Sequence, residues 1–123
     1  MTAAPAALCG RWEMIRAEHA GEPSPELVSL RVELRLTADT YAVHFAGELA
    51  DCGTFTAEPA GDHPALILHG TKGPNAGRSI PCIYQLMGNR LRICYGLDGI
   101  TPAAFATSAG TQLYLATYRR QES

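Results

Sequence analysis

The sequence predicts an all-β fold of about eight antiparallel strands, arranged either as a sandwich or as a closed up-and-down barrel. Short runs rich in β-branched and aromatic residues recur at a spacing of about 8–16 residues. Clusters of Gly, Pro, Asn and Asp, such as EPAGDHP and GTKGPNAG, separate these runs. Helix signals are sparse, and strands do not alternate with helices as they would in a parallel sheet.

The strands are predicted from the period of the apolar residues, beginning with GRWEMIRAE. In the segment VSLRVELRL, apolar residues at every second position from Leu30 to Leu36 alternate with Arg and Glu. This period of two is typical of a strand with one buried and one exposed face. The remaining strands are predicted in TYAVHF, GTFTA, ALILH, SIPCIYQLM, RLRICY and QLYLATYR.

One short helix is predicted after the first strand, over residues 24–30. Ser24 suits the N-cap, Pro25 the first helical position, and Glu26 the positive end of the helix dipole. The segment supports about two turns, and in a barrel it would lie where a lid over the interior is expected. A second short turn is predicted in TPAAF.

One hairpin can be predicted in its register, because Gly88-Asn89 in YQLMGNRLRI suits a two-residue turn. This turn places apolar residues opposite each other at every second pair, as one buried face requires. The predicted pairs are Met87 with Arg90, Leu86 with Leu91, Tyr84 with Ile93, and Cys82 with Tyr95.

The four cysteines are predicted to be free thiols. No two of them have the C-x-x-C spacing of a zinc ribbon or a thioredoxin-type site. The hairpin register places Cys82 and Cys94 on opposite faces of the sheet, with Cys94 beside Arg90 and Arg92. Cys9 and Cys52 are far from either in sequence.

Length and charge limit the classes of partner. The 123 residues predict one domain, residues 1–123, with a net charge of −2. No long run of one sign occurs, which argues against nucleic acid and anionic membranes as partners. No secretion signal and no apolar run of membrane-spanning length is present. We therefore expect no membrane insertion and a cytoplasmic location, and the oligomeric state is left open.

The only tryptophan, Trp12, follows Gly10 by two residues at the start of the first strand. Gly-x-Trp resembles the opening of lipocalins and their relatives in the calycin group. In those proteins the Trp closes one end of an eight-stranded barrel, and an arginine after the last strand lies across its ring. The resemblance implies that Gly10 permits close backbone approach and that Arg119 or Arg120 stacks on Trp12.

Over nearly all of residues 8 to 120, the chain is similar to a bacterial family of lipocalin-like domains that is mostly uncharacterised. The family motifs match Gly10, Trp12, Gly21, Pro25, Gly53, Phe55, Ile83, Tyr84, Leu86, Leu91, Ile93, Cys94, Pro102, Phe105 and, as the terminal arginine, Arg119. The chain departs from the family pattern at two places. Thr101 stands before Pro102, where the family usually has arginine, and Cys9 stands directly before Gly10, with Leu8 one position earlier. The resemblance implies an eight-stranded antiparallel up-and-down barrel with a short helix after strand 1, but little about function.

The interior of such a barrel is filled by side chains or holds one small ligand. The alternation of residues predicts an apolar lining with tyrosine hydroxyls, suited to one small apolar molecule. The predicted ligand-binding residues are Leu34, Leu36, Tyr41, Val43, Phe45, Cys82, Tyr84, Ile93, Tyr95 and Leu115. Further inward positions are predicted at Leu30, Val32, Leu86, Leu91, Leu113 and Thr117.

Catalytic motifs are absent from the sequence. The histidines, among them His44 and His69, form no H-x-x-H or H-E-x-x-H, so we expect no metal and no cofactor. One alternative is a cofactor-independent cyclase or isomerase of a natural-product pathway, with Tyr41, Tyr84 and Tyr95 as candidate hydrogen-bond donors. The other is a protein-interaction or inhibitor module whose outer face carries Arg31, Arg35, Arg90 and Arg92.

Overall fold

The protein is an all-β barrel, as the computed structural model shows for residues 8–25, 29–60, 63–73, 75–102, 104–107, 110 and 113–121. Its strands are β1 (Gly10–His19), β2 (Glu22–Pro23), β3 (Val32–Leu36), β4 (Thr40–Phe45), β5 (Glu48–Ala60), β6 (His63–Lys72), β7 (Ser79–Met87), β8 (Arg90–Gly96) and β9 (Leu113–Arg120). Each strand from β3 to β8 pairs antiparallel with the next, β3 also pairs with β1, and β9 pairs back with β1. The sheet is therefore a closed eight-stranded up-and-down barrel, with the two-residue β2 added at the end of β1.

The short helix predicted over residues 24–30 is not confirmed, because residues 26–28 lie outside the described part of the chain. Pro25 and Ser29, at either side of that gap, have helical backbone. No continuous run of the described residues forms a helix. The second turn predicted in TPAAF also lies partly outside the described residues, since residue 103 is not among them.

The hairpin of β7 and β8 has the predicted register. Cys82 pairs with Tyr95, Tyr84 with Ile93, and Leu86 with Leu91. Because side chains alternate along a strand, Cys82 faces the interior and Cys94 faces outward, as expected. All four cysteines are free thiols.

Cys94 is fully buried although it lies on the outer face of the barrel. The chain between β8 and β9 folds back over this wall, and the Ala106 backbone lies within hydrogen-bond reach of the Cys94 thiol. The Arg92 guanidinium lies over the Phe105 ring, with Arg92 Cζ 4.7 Å from the ring centre. Burial raises the pKa of the Cys94 thiol above its usual value. The predicted neighbour Arg92 is therefore part of a covered surface, because the segment between β8 and β9 packs on it.

The alternation predicted for β3 is correct from Val32 onward but wrong at Leu30. Val32, Leu34 and Leu36 are buried in the core, whereas Leu30 is 48% exposed. Arg31 has a positive φ of 55° and ends the extended conformation on the N-terminal side, so the strand begins only at Val32.

The prediction for the last strand is wrong in its choice of face. Leu115 pairs with the outward Cys94 and Thr117 with Arg92, so Leu113, Leu115 and Thr117 lie on the outer face. Ala116 and Tyr118 are buried inside instead. The sequence QLYLATYR has large apolar residues at both sets of alternate positions. The pattern of this strand alone therefore does not identify its inner face.

Trp12 closes the end of the barrel at which the Gly88-Asn89 turn lies, and it is completely buried. The Arg120 guanidinium lies over the indole, 4.2 Å from the ring centre. Arg120 Nη1 donates a hydrogen bond to the Cys9 carbonyl at 3.0 Å, and Trp12 Nε1 donates to the Leu8 carbonyl at 3.0 Å. Gly10 has φ +136°, and a Cβ there would lie 2.9 Å from Arg120 Nη1.

Arg120, and not the family-matched Arg119, therefore occupies the position over the tryptophan. Arg119 is one residue earlier and faces outward, where Nη2 lies 3.4 Å from Glu13 Oε1. The two arginines differ because neighbouring residues of β9 point to opposite sides of the barrel wall.

We predict that Arg120→Ala lowers the free energy of unfolding by about 2–3 kcal/mol, through loss of the cation–π contact and of a hydrogen bond to a backbone carbonyl. Arg119→Ala is the matched control, and we expect it to cost at most about 1 kcal/mol because its ion pair is exposed. Urea unfolding followed by Trp12 fluorescence measures both. Equal losses in the two variants would contradict the assignment.

Candidate functional site

The barrel is filled near Trp12 and hollow toward the opposite end. There a cavity of about 380 Å³ lies between the start of β7, the end of β8 and the start of β9. Its lining is mainly apolar and includes Met14, Val32, Leu68, Ile80 and Leu97. A cavity of this size and character, with a few polar groups, is typical of a small-molecule site.

Half of the predicted ligand-binding residues line this cavity: Leu34, Tyr41, Val43, Phe45 and Tyr95. Phe45 is 40% exposed and lies at the mouth, next to the β4–β5 turn where Leu49 is also exposed. Of the three candidate catalytic tyrosines, the structure therefore brings Tyr41 and Tyr95 to one cavity.

The other predicted residues lie elsewhere. Leu36, Cys82, Tyr84 and Ile93 are buried in the hydrophobic core but are not among the residues that line the cavity. Leu115 is on the outer wall, in a groove with Phe105, and so cannot contact a ligand inside the barrel. The third candidate donor, Tyr84, is thus not among the residues that line the cavity with Tyr41 and Tyr95.

Most tyrosine hydroxyls at the cavity bond to other side chains. Tyr95 Oη and Tyr118 Oη are hydrogen-bonded to each other at 2.8 Å. Tyr114 Oη donates to the Met14 sulfur at 3.7 Å, and its ring stacks on Tyr95 with centres 5.4 Å apart. Burial raises the pKa of Tyr95, Tyr114 and Tyr118. These three phenols therefore form a packed, neutral part of the wall.

Tyr41 differs from them, because its hydroxyl has no hydrogen-bond partner among the described residues although the side chain is only 3% exposed. Burial raises the pKa of Tyr41 to about 12, together with the nearby negative charge of Asp51 and the proximity of the hydroxyl to that carboxylate. The two side chains therefore lie close together, although no hydrogen bond of normal geometry joins them. The phenol therefore stays protonated at neutral pH, with its hydroxyl beside the Asp51 carboxylate.

Asp51 is a site residue that the sequence analysis missed. It is 9% exposed and lines the cavity. Its Oδ2 accepts a hydrogen bond from Asn75 Nδ2 at 2.9 Å, while Oδ1 has no partner among the described residues. A buried carboxylate oxygen without a partner is costly. Such an atom in a native cavity therefore points to a ligand contact.

A loop from the glycine-rich segment GTKGPNAGR holds Asp51 in place. Gly73, with φ +88°, lies so close that a Cβ there would be 2.8 Å from Asp51 Oδ1. Arg78 Nη1 donates to Asn75 Oδ1 at 3.1 Å, and Arg78 Nη2 donates to the Leu97 carbonyl. The loop therefore carries two polar residues, Asn75 and Arg78, to the mouth of the cavity.

One signal in the sequence does place Asp51 inside. Phe55 and Ala57 are buried, and counting back by two from Phe55 gives Gly53 and then Asp51. Asp51 lies just before the predicted strand GTFTA, which begins at Gly53. Because Asp and Gly are both depleted in strands, the sequence pattern predicts a strand boundary here. β5 in fact continues through both residues to Glu48.

The outer wall has concavities of its own, with volumes of about 590, 630 and 500 Å³. They are larger than the internal cavity but are lined mostly by charged and polar side chains. Two of the outward arginines bond within the chain, since Arg35 pairs with Glu33 and Arg92 donates to Gln85. Arg35 and Arg92 therefore have contacts within the barrel wall itself.

His44 and His69 lie on this outer side. His44 is half-buried beside an outer groove, and its Nδ1 has no partner among the described residues. His69 Nδ1 lies 3.0 Å from Ser79 Oγ. Within the described ranges, no three His, Cys, Asp or Glu side chains are grouped so as to hold a metal ion.

Comparisons of the chain with family models, with curated proteins and with solved structures found no match. The fold is consistent with a lipocalin-like barrel, and membership of the calycin group stays a prediction from the sequence motifs. In the part of the chain that the structure describes, no helix is long and apolar enough to cross a bilayer.

We predict that the free energy of unfolding falls as the pH rises from about 10 to about 12. In this range the unfolded chain releases the Tyr41 proton while the folded protein, with its raised pKa, retains it. The unfolded state then binds fewer protons, so stability decreases with pH. Tyr41→Phe should make this decrease shallower, as urea unfolding at a series of pH values measures.

Tyr118→Phe is the control for the substitution itself at neutral pH. It leaves Tyr95 Oη without its 2.8 Å partner and should cost about 1–2 kcal/mol. Tyr41→Phe removes a hydroxyl without a partner and should cost less than Tyr118→Phe at pH 7. An identical pH profile in Tyr41→Phe and the unsubstituted protein would show that the Tyr41 phenol is not shifted.

Proposed function

We propose that the protein binds one small, mainly apolar molecule inside the barrel. The observation that carries the proposal is the cavity of about 380 Å³, whose mainly apolar wall contains two buried oxygens without partners, Tyr41 Oη and Asp51 Oδ1. Apolar surface supplies most of the binding free energy in such sites, and a few polar groups fix the orientation of the ligand. The exposed Phe45 at the mouth is suited to contact a ligand as it enters.

The proposal predicts that an apolar fluorophore, N-phenyl-1-naphthylamine, binds saturably with one molecule per chain. Val43→Trp, which places a large ring in the cavity, should weaken this binding at least about tenfold. Thr54→Trp is the matched control, because Thr54 is exposed on the neighbouring strand β5 and its substitution adds a similar volume outside. Fluorescence titration measures all three proteins.

Equal affinity in Val43→Trp and in the unsubstituted protein would contradict binding inside the barrel. Loss of binding in Thr54→Trp as well would show that the outer wall, and not the cavity, carries the probe. Native mass spectrometry of the protein as purified, compared with its denatured mass, checks the stoichiometry and reveals any molecule already bound.

A second candidate function is catalysis in the same cavity, as a cofactor-independent cyclase or isomerase. The observation that favours it is the pair of unpartnered groups in an apolar environment: a protonated phenol, Tyr41, and a carboxylate, Asp51. Hydrogen-bond donors and acceptors held ready in a dry cavity can stabilise charge that develops in a reacting molecule.

Binding and catalysis predict different outcomes for the molecule that co-purifies. If the protein only binds, mass spectrometry and chromatography should find the same compound on Tyr41→Phe and on the unsubstituted protein. If the protein converts its ligand, Tyr41→Phe should instead carry the isomeric precursor. Tyr118→Phe, whose hydroxyl bonds to Tyr95, controls for a general change in the wall.

A further inference from the structure

Resting on the proposed function, we infer that the ligand carries a positively charged amine at one end of an apolar body. The amine would donate hydrogen bonds to Asp51 Oδ1 and Tyr41 Oη, and the apolar body would lie against the aliphatic wall. Asp51 and Tyr41 would thereby select the class of molecule that the cavity binds.

Asp51 is buried at the cavity with only one of its two carboxylate oxygens hydrogen-bonded. The side chain is more than nine-tenths buried, and Asn75 fixes one carboxylate oxygen at 2.9 Å. The other oxygen has no partner within the described residues. Asn75 contacts one carboxylate oxygen and the Gly73 backbone lies beside the other, which is buried from water. A donor supplied by a ligand would remove the cost of leaving it unpaired.

The other polar side chains that line the cavity have hydrogen-bond partners. Tyr95 and Tyr118 bond to each other, and Tyr114 bonds to the Met14 sulfur. Arg78 donates to Asn75 and to the Leu97 carbonyl. Among the described lining residues, only Tyr41 and Asp51 keep a buried oxygen without a partner. The polar end of a ligand therefore has one place in the cavity where it completes hydrogen bonds.

The charged residues that line the cavity favour a cation over an anion. Asp51 is the single acidic residue and Arg78 the single basic residue among the described residues that line the cavity. Arg78 is exposed at the mouth, where water and salt screen it, whereas Asp51 is buried. A buried carboxylate attracts a cation strongly and repels an anion. The interior therefore favours an ammonium group over a neutral hydroxyl, and a hydroxyl over a carboxylate.

The rest of the wall sets the other end of the ligand. Leu34, Val43, Leu68 and Ile80 line the cavity and offer aliphatic surface without hydrogen-bonding side-chain atoms. An unbranched alkyl chain of medium length would bury its methylenes against them. The class of ligand is therefore an amphipathic amine, small enough for a cavity of about 380 Å³.

The test compares three probes with the same alkyl chain: octylamine, octanol and octanoate. Isothermal titration calorimetry at pH 7 measures their affinities for the unsubstituted protein, with the amine protonated as lysine is. We expect octylamine to bind at least about tenfold more tightly than octanol, the effect of a hydrogen bond to a buried charge. Octanoate should bind most weakly.

Equal affinities for the three probes, or the tightest binding by octanoate, would overturn the inference while the proposed function stands. Binding of N-phenyl-1-naphthylamine without binding of any of the three probes would likewise overturn the inference, while the proposed function stands. Binding of neither the three probes nor the fluorophore would overturn the proposed function as well, so the two failures can be told apart.

Asp51→Asn tests the residue itself, and Asp39→Asn is the matched control, because Asp39 is exposed in the turn before β4. Asp51→Asn should weaken octylamine binding at least about tenfold and leave octanol within about threefold. Asp39→Asn should change neither. Octylamine binding that is unchanged in Asp51→Asn would refute the role of Asp51.

The folding of Asp51→Asn is checked by thermal unfolding without ligand. Removing a buried charge whose second oxygen has no partner should leave the midpoint unchanged or raise it. If the variant does not fold, the ranking of the three probes on the unsubstituted protein decides the inference alone.

Discussion

Hydrogen bonds between β1 and β9 close the sheet, and an interior exists only because of this closure. The paired residues run from Trp12 with Arg120 at one end to His19 with Tyr114 at the other. Closure removes both sheet edges, and it divides every strand into an inner and an outer set of side chains. It also brings a residue near the C-terminus over a tryptophan near the N-terminus, at 4.2 Å. The bulge at Met14 and Arg16 lets the long β1 continue along β9.

The two ends of the barrel are packed differently. Near Trp12 the space is filled by the indole and by large aliphatic side chains, and the polar atoms of Trp12 and Arg120 bond to backbone carbonyls. At the other end the tyrosine rings stand along the wall and leave the middle open. Their hydroxyls are paired, except at Tyr41. Departures from full hydrogen bonding in an otherwise consistent core are expected where a protein has a function.

The segment between β8 and β9 shows why the outer face could not be predicted strand by strand. It packs on the wall through Phe105 under Arg92, and Thr107 Oγ1 donates to Glu18 Oε1 at 2.8 Å. A thiol predicted beside solvated arginines, Cys94, thereby becomes fully buried. These contacts join residues up to 89 positions apart in sequence. A local pattern predicts the direction of a side chain but not which distant segment covers it.

The sequence by itself determined the all-β class, the strand alternation of β3, and the register of the β7–β8 hairpin. These depend on local physics: the period of two, and a Gly-Asn turn that fixes the pairs next to it. The tertiary structure decided which arginine stacks on Trp12, which face of β9 is inside, and that Asp51 is buried in the cavity with one oxygen unpaired. The arginine over Trp12 and the inner face of β9 depend on barrel closure, which pairs β9 with β1. The burial of Asp51 depends on the extension of β5 past Gly53 and on a loop from another strand. Burial and hydrogen bonding of this kind arise only when segments distant in sequence meet.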